Sequence, residues 1–147
     1  MLNHPHDTSI FDIVTLAPGN PAAATGYTFG VPALTRVQII GVTMTITCDA
    51  NVANRLPYIQ ASDGTRNFQG TCASALIVAN QIAAFFFSVQ GSPGQSFFTQ
   101  SFACAPLADH LYLREGDSLT LDWIGKQAGD TMTGIAIRYK QWITPTT

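Results

Sequence analysis

An all-β fold, a single-domain antiparallel β-sandwich, is the class this sequence predicts, and three observations predict it. Eight or nine short stretches alternate apolar and polar residues with a period of two. Clusters of turn-forming residues separate them: Ala17–Pro21, Asp63-Gly64, Gly91–Gly94, Arg114–Asp117 and Gly125–Gly129. No amphipathic helix of useful length competes with them. About eight strands in two facing sheets, joined by several long connections, fit a jelly roll best. An immunoglobulin-like sandwich is the runner-up, but it calls for a Trp between paired cysteines, and neither Trp123 nor Trp142 lies there.

Residues 1–9 are polar, with His4-Pro5-His6, and read as a flexible arm before a domain spanning 10–147. Ile10–Leu16 is the first strand, stopped by two prolines and a Gly. Gly26–Val31 sets Tyr27, Phe29 and Val31 against Thr28 and Gly30. Arg36–Cys48 is the clearest strand: Val42, Met44, Ile46 and Cys48 share one face, and Thr43, Thr45 and Thr47 the other. Val37 and Ile39 have the opposite parity, so the switch at Ile40-Gly41 predicts a β-bulge that bends the strand from one sheet toward the other. Arg55–Ala61 and Arg66–Cys72 flank the Asp63-Gly64 turn, with Pro57 predicting an edge or a bulge because it brings no N–H to a ladder. Ser74–Gln81 reads equally as a short helical turn or a strand connection. Ala83–Val89 and Ser96–Cys104 lie on either side of the Gly91–Gly94 turn, and Leu111–Leu113 is short. Ser118–Ile124 groups Leu119, Leu121 and Trp123; Thr131–Trp142 turns Ile135, Ile137 and Tyr139 inward and Arg138 and Lys140 outward. There is no internal repeat.

Charged residues make up only 11% of the chain, against roughly 25% in ordinary soluble domains. The surface is therefore covered by Thr, Ser, Asn, Gln and Gly, or is partly hidden in an assembly. With a net charge of −2 and no basic stripe, no nucleic-acid partner is expected. Cys48, Cys72 and Cys104 are odd in number and have no CxxC spacing, so they read as small buried hydrophobes and not as a disulfide framework. Met1–Ser9 lacks the apolar core of a signal peptide, and no run reaches the roughly 20 apolar residues that span a bilayer. Assembly inside a cell, without a membrane partner, is the expectation.

Candidates for catalysis are few. His4, His6 and His110 are the only imidazoles, no GxSxG is present, and the acidic residues fall mostly at turns. No enzyme activity, catalytic residue, cofactor or metal is expected. The stretch Asp49–Gly64 (DANVANRLPYIQASDG) carries the densest polar pattern. Its D-x-N-x-x-N spacing offers oxygens, but it lacks the Gly at position six and the Glu at position twelve of an EF-hand loop. Asp49, Asn51 and Asn54 read instead as a structural corner held by side-chain to backbone bonds, with Arg55 as an ion-pair partner and Asp63 and Gly64 as the following turn.

Four aromatics are candidates for an interface. Phe86 and Phe97 each point away from the apolar face of their own strand, on two strands read as joined by one turn. That arrangement sets both on one outer face, for a subunit contact or for cover within the monomer. Tyr112 and Trp142 also lie on the parity opposite to their strand's apolar set, where they suit stacking on sugar. Trp123 shares the parity of Leu119 and Leu121 and reads as core.

From Arg36 to Trp142 the order of features resembles the single-domain jelly-roll structural proteins of tailed bacteriophage virions. The residues that carry the likeness are the corner Asp49-Ala-Asn-Val-Ala-Asn-Arg55, the Asp63-Gly64 turn, the strand Ala84-Phe-Phe-Phe-Ser88, the turn Leu113-Arg-Glu-Gly-Asp117, the strand Leu119–Trp123, and the Gly129-Asp130 lead-in to a strand finishing near Trp142. Cys72, Cys104 and Leu56-Pro57 depart from the pattern. The resemblance implies a non-enzymatic virion structural protein. It would be a capsid decoration or cement protein, or of head-fibre type, forming a homotrimer that binds the major capsid protein on the capsid surface. A carbohydrate- or host-surface-binding module associated with a tail or head fibre is the alternative. As a cement, a rigid sandwich would bridge neighbouring capsid subunits, its weak contacts multiplied by symmetry.

Overall fold

The computed structural model describes residues 11–73, 76–89, 102–108 and 110–143, and strands dominate them. In chain order they are β1 (Asp12–Leu16), β2 (Tyr27–Gly30), β3 (Thr35–Thr47), β4 (Leu56–Ser62), β5 (Asn67–Cys72), β6 (Ile82–Ser88), β7 (Phe102–Pro106), β8 (Tyr112–Arg114), β9 (Ser118–Ile124) and β10 (Thr131–Ile143). One sheet runs β1-β10-β3-β6-β7, with β8 also paired to β3; the other runs β2-β9-β4-β5. Alternation decides which side chains meet between them. Val37, Ile39, Val42, Met44, Ile46, Phe85, Phe87 and Ile137 come inward from the first sheet, and Phe29, Ile59, Ala61, Leu119, Leu121 and Trp123 from the second, all buried. The molecule is thus an all-β sandwich of two facing sheets.

The parity switch in β3 is a bulge. Gly41 pairs with Arg138 and Ile39 with Tyr139, leaving Ile40 as the extra residue. The strand does not cross between sheets, however. It keeps β10 on one side throughout, and the bulge marks where its other neighbour changes from β6 (Gly41–Thr47) to β8 (Arg36–Gln38). A second irregularity lies in β10, where Thr133 pairs with Thr45 and Ala136 with Thr43. Gly134, at φ 58°, takes up the extra residue, and both Met132 and Ile135 stay buried.

Pro57 sits on neither an edge nor a bulge. It lies in β4, an inner strand, opposite Trp123. Its carbonyl accepts from Ala73 N (2.8 Å) on the β5 side. The N and C=O of a strand residue face the same way, so the missing N–H points past the end of the β5 ladder, which starts at Tyr58–Cys72. The ladder to β9 loses nothing.

The reading of Ala83–Val89 and Ser96–Cys104 as two arms of one turn is also corrected. β6 and β7 pair in parallel, Phe86 beside Cys104. Parallel neighbours need a connection of about a dozen residues or more, and the stretch 89–101 is long enough to supply it. Gly91–Gly94 and Phe97 lie outside the described residues, as do the 1–9 arm, Ile10, Asp109 and the tail after Ile143. Within Ser74–Gln81 the described part is a connection: Ile77 bridges Arg55, and Gln81 N closes a turn on Val78 O.

Candidate functional site

Two features stand out along the paired β3 and β10, which extend roughly 40 Å. The first is the corner after β3. Arg55 shares the parity of Pro57, Ile59 and Ala61, so its side chain points into the sandwich and is fully buried. Its Nε and Nη2 donate to the two oxygens of Asp130 (both 3.0 Å), Nη2 also to Asp49 Oδ1 (2.7 Å), and Nη1 to the carbonyls of Asn51 (2.9 Å) and Ala53 (2.8 Å). Asp130, also fully buried, further accepts from Asp49 N, Gln127 N and Trp123 Nε1. Asp49 Oδ2 accepts from Asn51 Nδ2 (2.7 Å) and Gly129 N (3.1 Å). The β9–β10 turn closes over this cluster with no room for larger residues: a Cβ on Gly125 would lie 2.2 Å from Asn54 O, and one on Gly129 would lie 2.9 Å from Asp49 Oδ2.

Burial raises the Asp130 carboxyl, but hydrogen bonds from Arg55, Asp49 N, Gln127 N and Trp123 outweigh it and hold the group at about 2. The hydrogen bond to Asp130 raises Arg55 in turn, against burial. With the guanidinium between the two carboxylates, where a cation would otherwise go, the cluster is a lock between the β3–β4 and β9–β10 connections. Asn51 joins it through Asp49; Asn54 is exposed, and its carbonyl lies against Gly125. Asp63 and Gly64 stand about 20 Å of strand away, closing the β4–β5 turn. There Asp63 Oδ1 accepts from Thr65 N and Arg66 N, which lowers its pKa, and Gly64 adopts φ 87°. The sequence reading missed Asp130 as the partner of Arg55. A signal existed: an Arg on a buried parity needs an acid, and Asp130 follows a Gly-rich turn.

The second feature is the outward face of the six-stranded sheet, which the β3 bulge divides. Beyond it, toward the corner, Thr43, Thr45 and Thr47 stand beside Phe86, Ala84 and Ile82, without a charge among them. On the other side, register sets Trp142, Arg36 and Arg114 in one row, with the Phe11 ring against Trp142, and Ile13, Lys140, Gln38 and Tyr112 in the next. Tyr112 and Trp142 are brought together, ring centroids 6.2 Å apart, and Phe11 extends the line at 5.7 Å from Trp142. His110 stacks on Tyr112 at 6.1 Å, and Lys140 Nζ lies 4.8 Å from the Phe11 ring centre. Phe86, 36% exposed, lies on the uncharged half, apart from this line. Trp123 is buried, as its parity indicates.

Of the seven Lys and Arg residues, Arg36, Arg114, Arg138 and Lys140 gather on this face. Arg55 is buried, Lys126 pairs with Asp122 (2.7 Å), and Arg66 belongs to the β4–β5 turn. Among the described residues no group of His, Cys, Asp or Glu is placed to hold a metal ion. Among the described residues no helix is long and apolar enough to cross a membrane. Comparison with known protein families, with curated proteins and with solved structures finds no match to this chain.

Proposed function

We propose that the protein is a non-enzymatic structural protein of a phage-like virion, a decoration or cement protein that docks on the capsid surface and bridges its subunits as a homotrimer. The observation that carries this reading is the uncharged half of the outer face. Thr43, Thr45, Thr47, Ile82, Ala84 and Phe86 form a sheet surface depleted of charge, as the centre of a lasting protein–protein contact is. Ile82 is 59% exposed, apolar area that an assembly would cover. The jelly roll belongs to the same reading. Its supports are the nested pairings of β3 with β10 and, inside it along the chain, β4 with β9, as in a ribbon wound on itself. The virion surface, reached after assembly in the host cytoplasm, is the corresponding location, and the major capsid protein the corresponding partner.

Light scattering on the purified protein tests the assembly. A trimer is expected, and Phe86→Arg should shift it toward monomer while the melting temperature of the fold is kept. A monomer for the unmodified chain at micromolar concentration overturns the trimer.

A second reading, a carbohydrate- or host-surface-binding module, is favoured by the line of rings from Phe11 through Trp142 to Tyr112 on the other half of the same face. Aromatic planes beside polar groups are what a sugar ring stacks on.

A further inference from the structure

We propose that the aromatic and cationic half of the outer sheet face binds an acidic polysaccharide, with sugar rings resting on Trp142 and Tyr112 and carboxylates paired to Arg36, Arg114 and Lys140. The inference rests on the glycan-binding reading and names its ligand class. Trp142 and Tyr112 stand 6.2 Å apart across Arg36 and Gln38 of β3, a spacing close to the length of one sugar residue. Tyr112 is 41% exposed, with His110 stacked on its ring and Trp142 beside it. The charges share the rows of the rings: Arg36 lies opposite Trp142, with Arg114 beyond it, and Lys140 lies opposite Gln38, which faces Tyr112. A planar guanidinium matches a carboxylate with two parallel hydrogen bonds. Lys140 is held over the Phe11 ring, which limits the side-chain freedom lost on binding.

Charge complementarity selects an anionic partner. The whole chain carries −2, yet its exposed cations concentrate here; among the described residues none of Arg36, Arg114, Arg138 and Lys140 forms an ion pair. A nucleic acid suits the face less well. Its dense phosphates meet an acidic protein of pI near 5.8, where nucleic-acid domains are strongly basic. Trp142 is tilted 54° to Phe11 and 44° to Tyr112, and only His110 lies parallel to Tyr112, so the line from Phe11 to Tyr112 forms no continuous ledge for successive bases. A polysaccharide with a carboxylate on every sugar or every second sugar asks for fewer cations.

Calorimetric titration of the full chain tests this with two acidic probes, a hyaluronan octasaccharide and an octagalacturonate, beside their carboxyl-reduced neutral forms and an oligothymidylate of similar length. At least one acidic probe should bind, and its neutral form should bind about tenfold more weakly, the loss of one charge-assisted hydrogen bond. Trp142→Ala and Tyr112→Ser should each weaken binding severalfold. Arg36→Gln should weaken the acidic probe and leave any neutral binding unchanged. Thermal melting checks each variant, and Tyr112→Ser, at an exposed position, carries the test if Trp142→Ala lowers the melting temperature. Equal binding of acidic and neutral forms overturns this inference and leaves the glycan-binding reading standing. Binding of none overturns both. Tighter binding of the oligothymidylate overturns the inference in favour of single-stranded nucleic acid.

Discussion

Replacing Asp130 by Asn keeps the shape of the side chain and removes its charge from the buried corner. Asp130 accepts five hydrogen bonds: from Arg55 Nη2 and Asp49 N on Oδ1, and from Arg55 Nε, Gln127 N and Trp123 Nε1 on Oδ2. An amide has one oxygen, so its NH₂ must face two of these donors in one orientation and three in the other. Arg55 then keeps only Asp49 as a counter-charge, a side chain 17% exposed. Breaking a buried pair by removing one partner costs roughly 3–5 kcal/mol, a large part of the roughly 5–15 kcal/mol that holds a domain together. At ~2–4 °C per kcal/mol the melting temperature should fall by ~10 °C. Acidity supplies a second check. Asp130 titrates at about 2 in the fold, below its ordinary 3.8. Its ionisation therefore stabilises the fold in full above pH ~4, and that contribution is lost as the pH falls from ~4 to ~2. Denaturant unfolding followed by Trp fluorescence should show a gap between wild type and Asp130→Asn that is widest near neutral pH and narrows over that window. A gap under about 1 kcal/mol at neutral pH, the worth of an exposed pair, would refute the reasoning, as would a gap that persists unchanged at low pH.

Two further outcomes are expected from other positions. Gly125→Ala combines φ 78° with a Cβ 2.2 Å from Asn54 O, so it should destabilise by more than ~2 kcal/mol in the same unfolding assay; a change within ~0.5 kcal/mol contradicts the close approach of the two turns. Cys72 is exposed, against the expectation that all three cysteines are buried, so in variants lacking Cys104 a thiol reagent should label it rapidly in the native protein. Cys48, 5% exposed with its thiol pushed up by burial, should react only on unfolding, and equal native rates contradict that placement.

Much of the strand pattern is legible in residue alternation because each side chain's face follows from its place along the strand. Val42, Met44, Ile46 and Cys48 against Val37 and Ile39 located the β3 bulge to the step Ile40-Gly41, where Ile40 is the extra residue. Leu119, Leu121 and Trp123 marked a buried face, and Tyr112 and Trp142 marked outward positions, from parity alone. What parity cannot carry is which strand lies beside which. The parallel pairing of β6 with β7, the inner position of Pro57 and the confinement of β3 to one sheet depend on contacts between distant segments, and local turn chemistry gives no measure of these. The same limit hid the partner of Arg55. The sequence put an Arg on an inward parity, but only the fold, by bringing the β3–β4 and β9–β10 connections together, supplied Asp130. Phe11, Arg36, Lys140 and Tyr112 likewise become one surface only because four strands align in register. Alternation is a property of one strand; adjacency is a property of the sheet, and the sheet exists only when the whole chain has closed on its core.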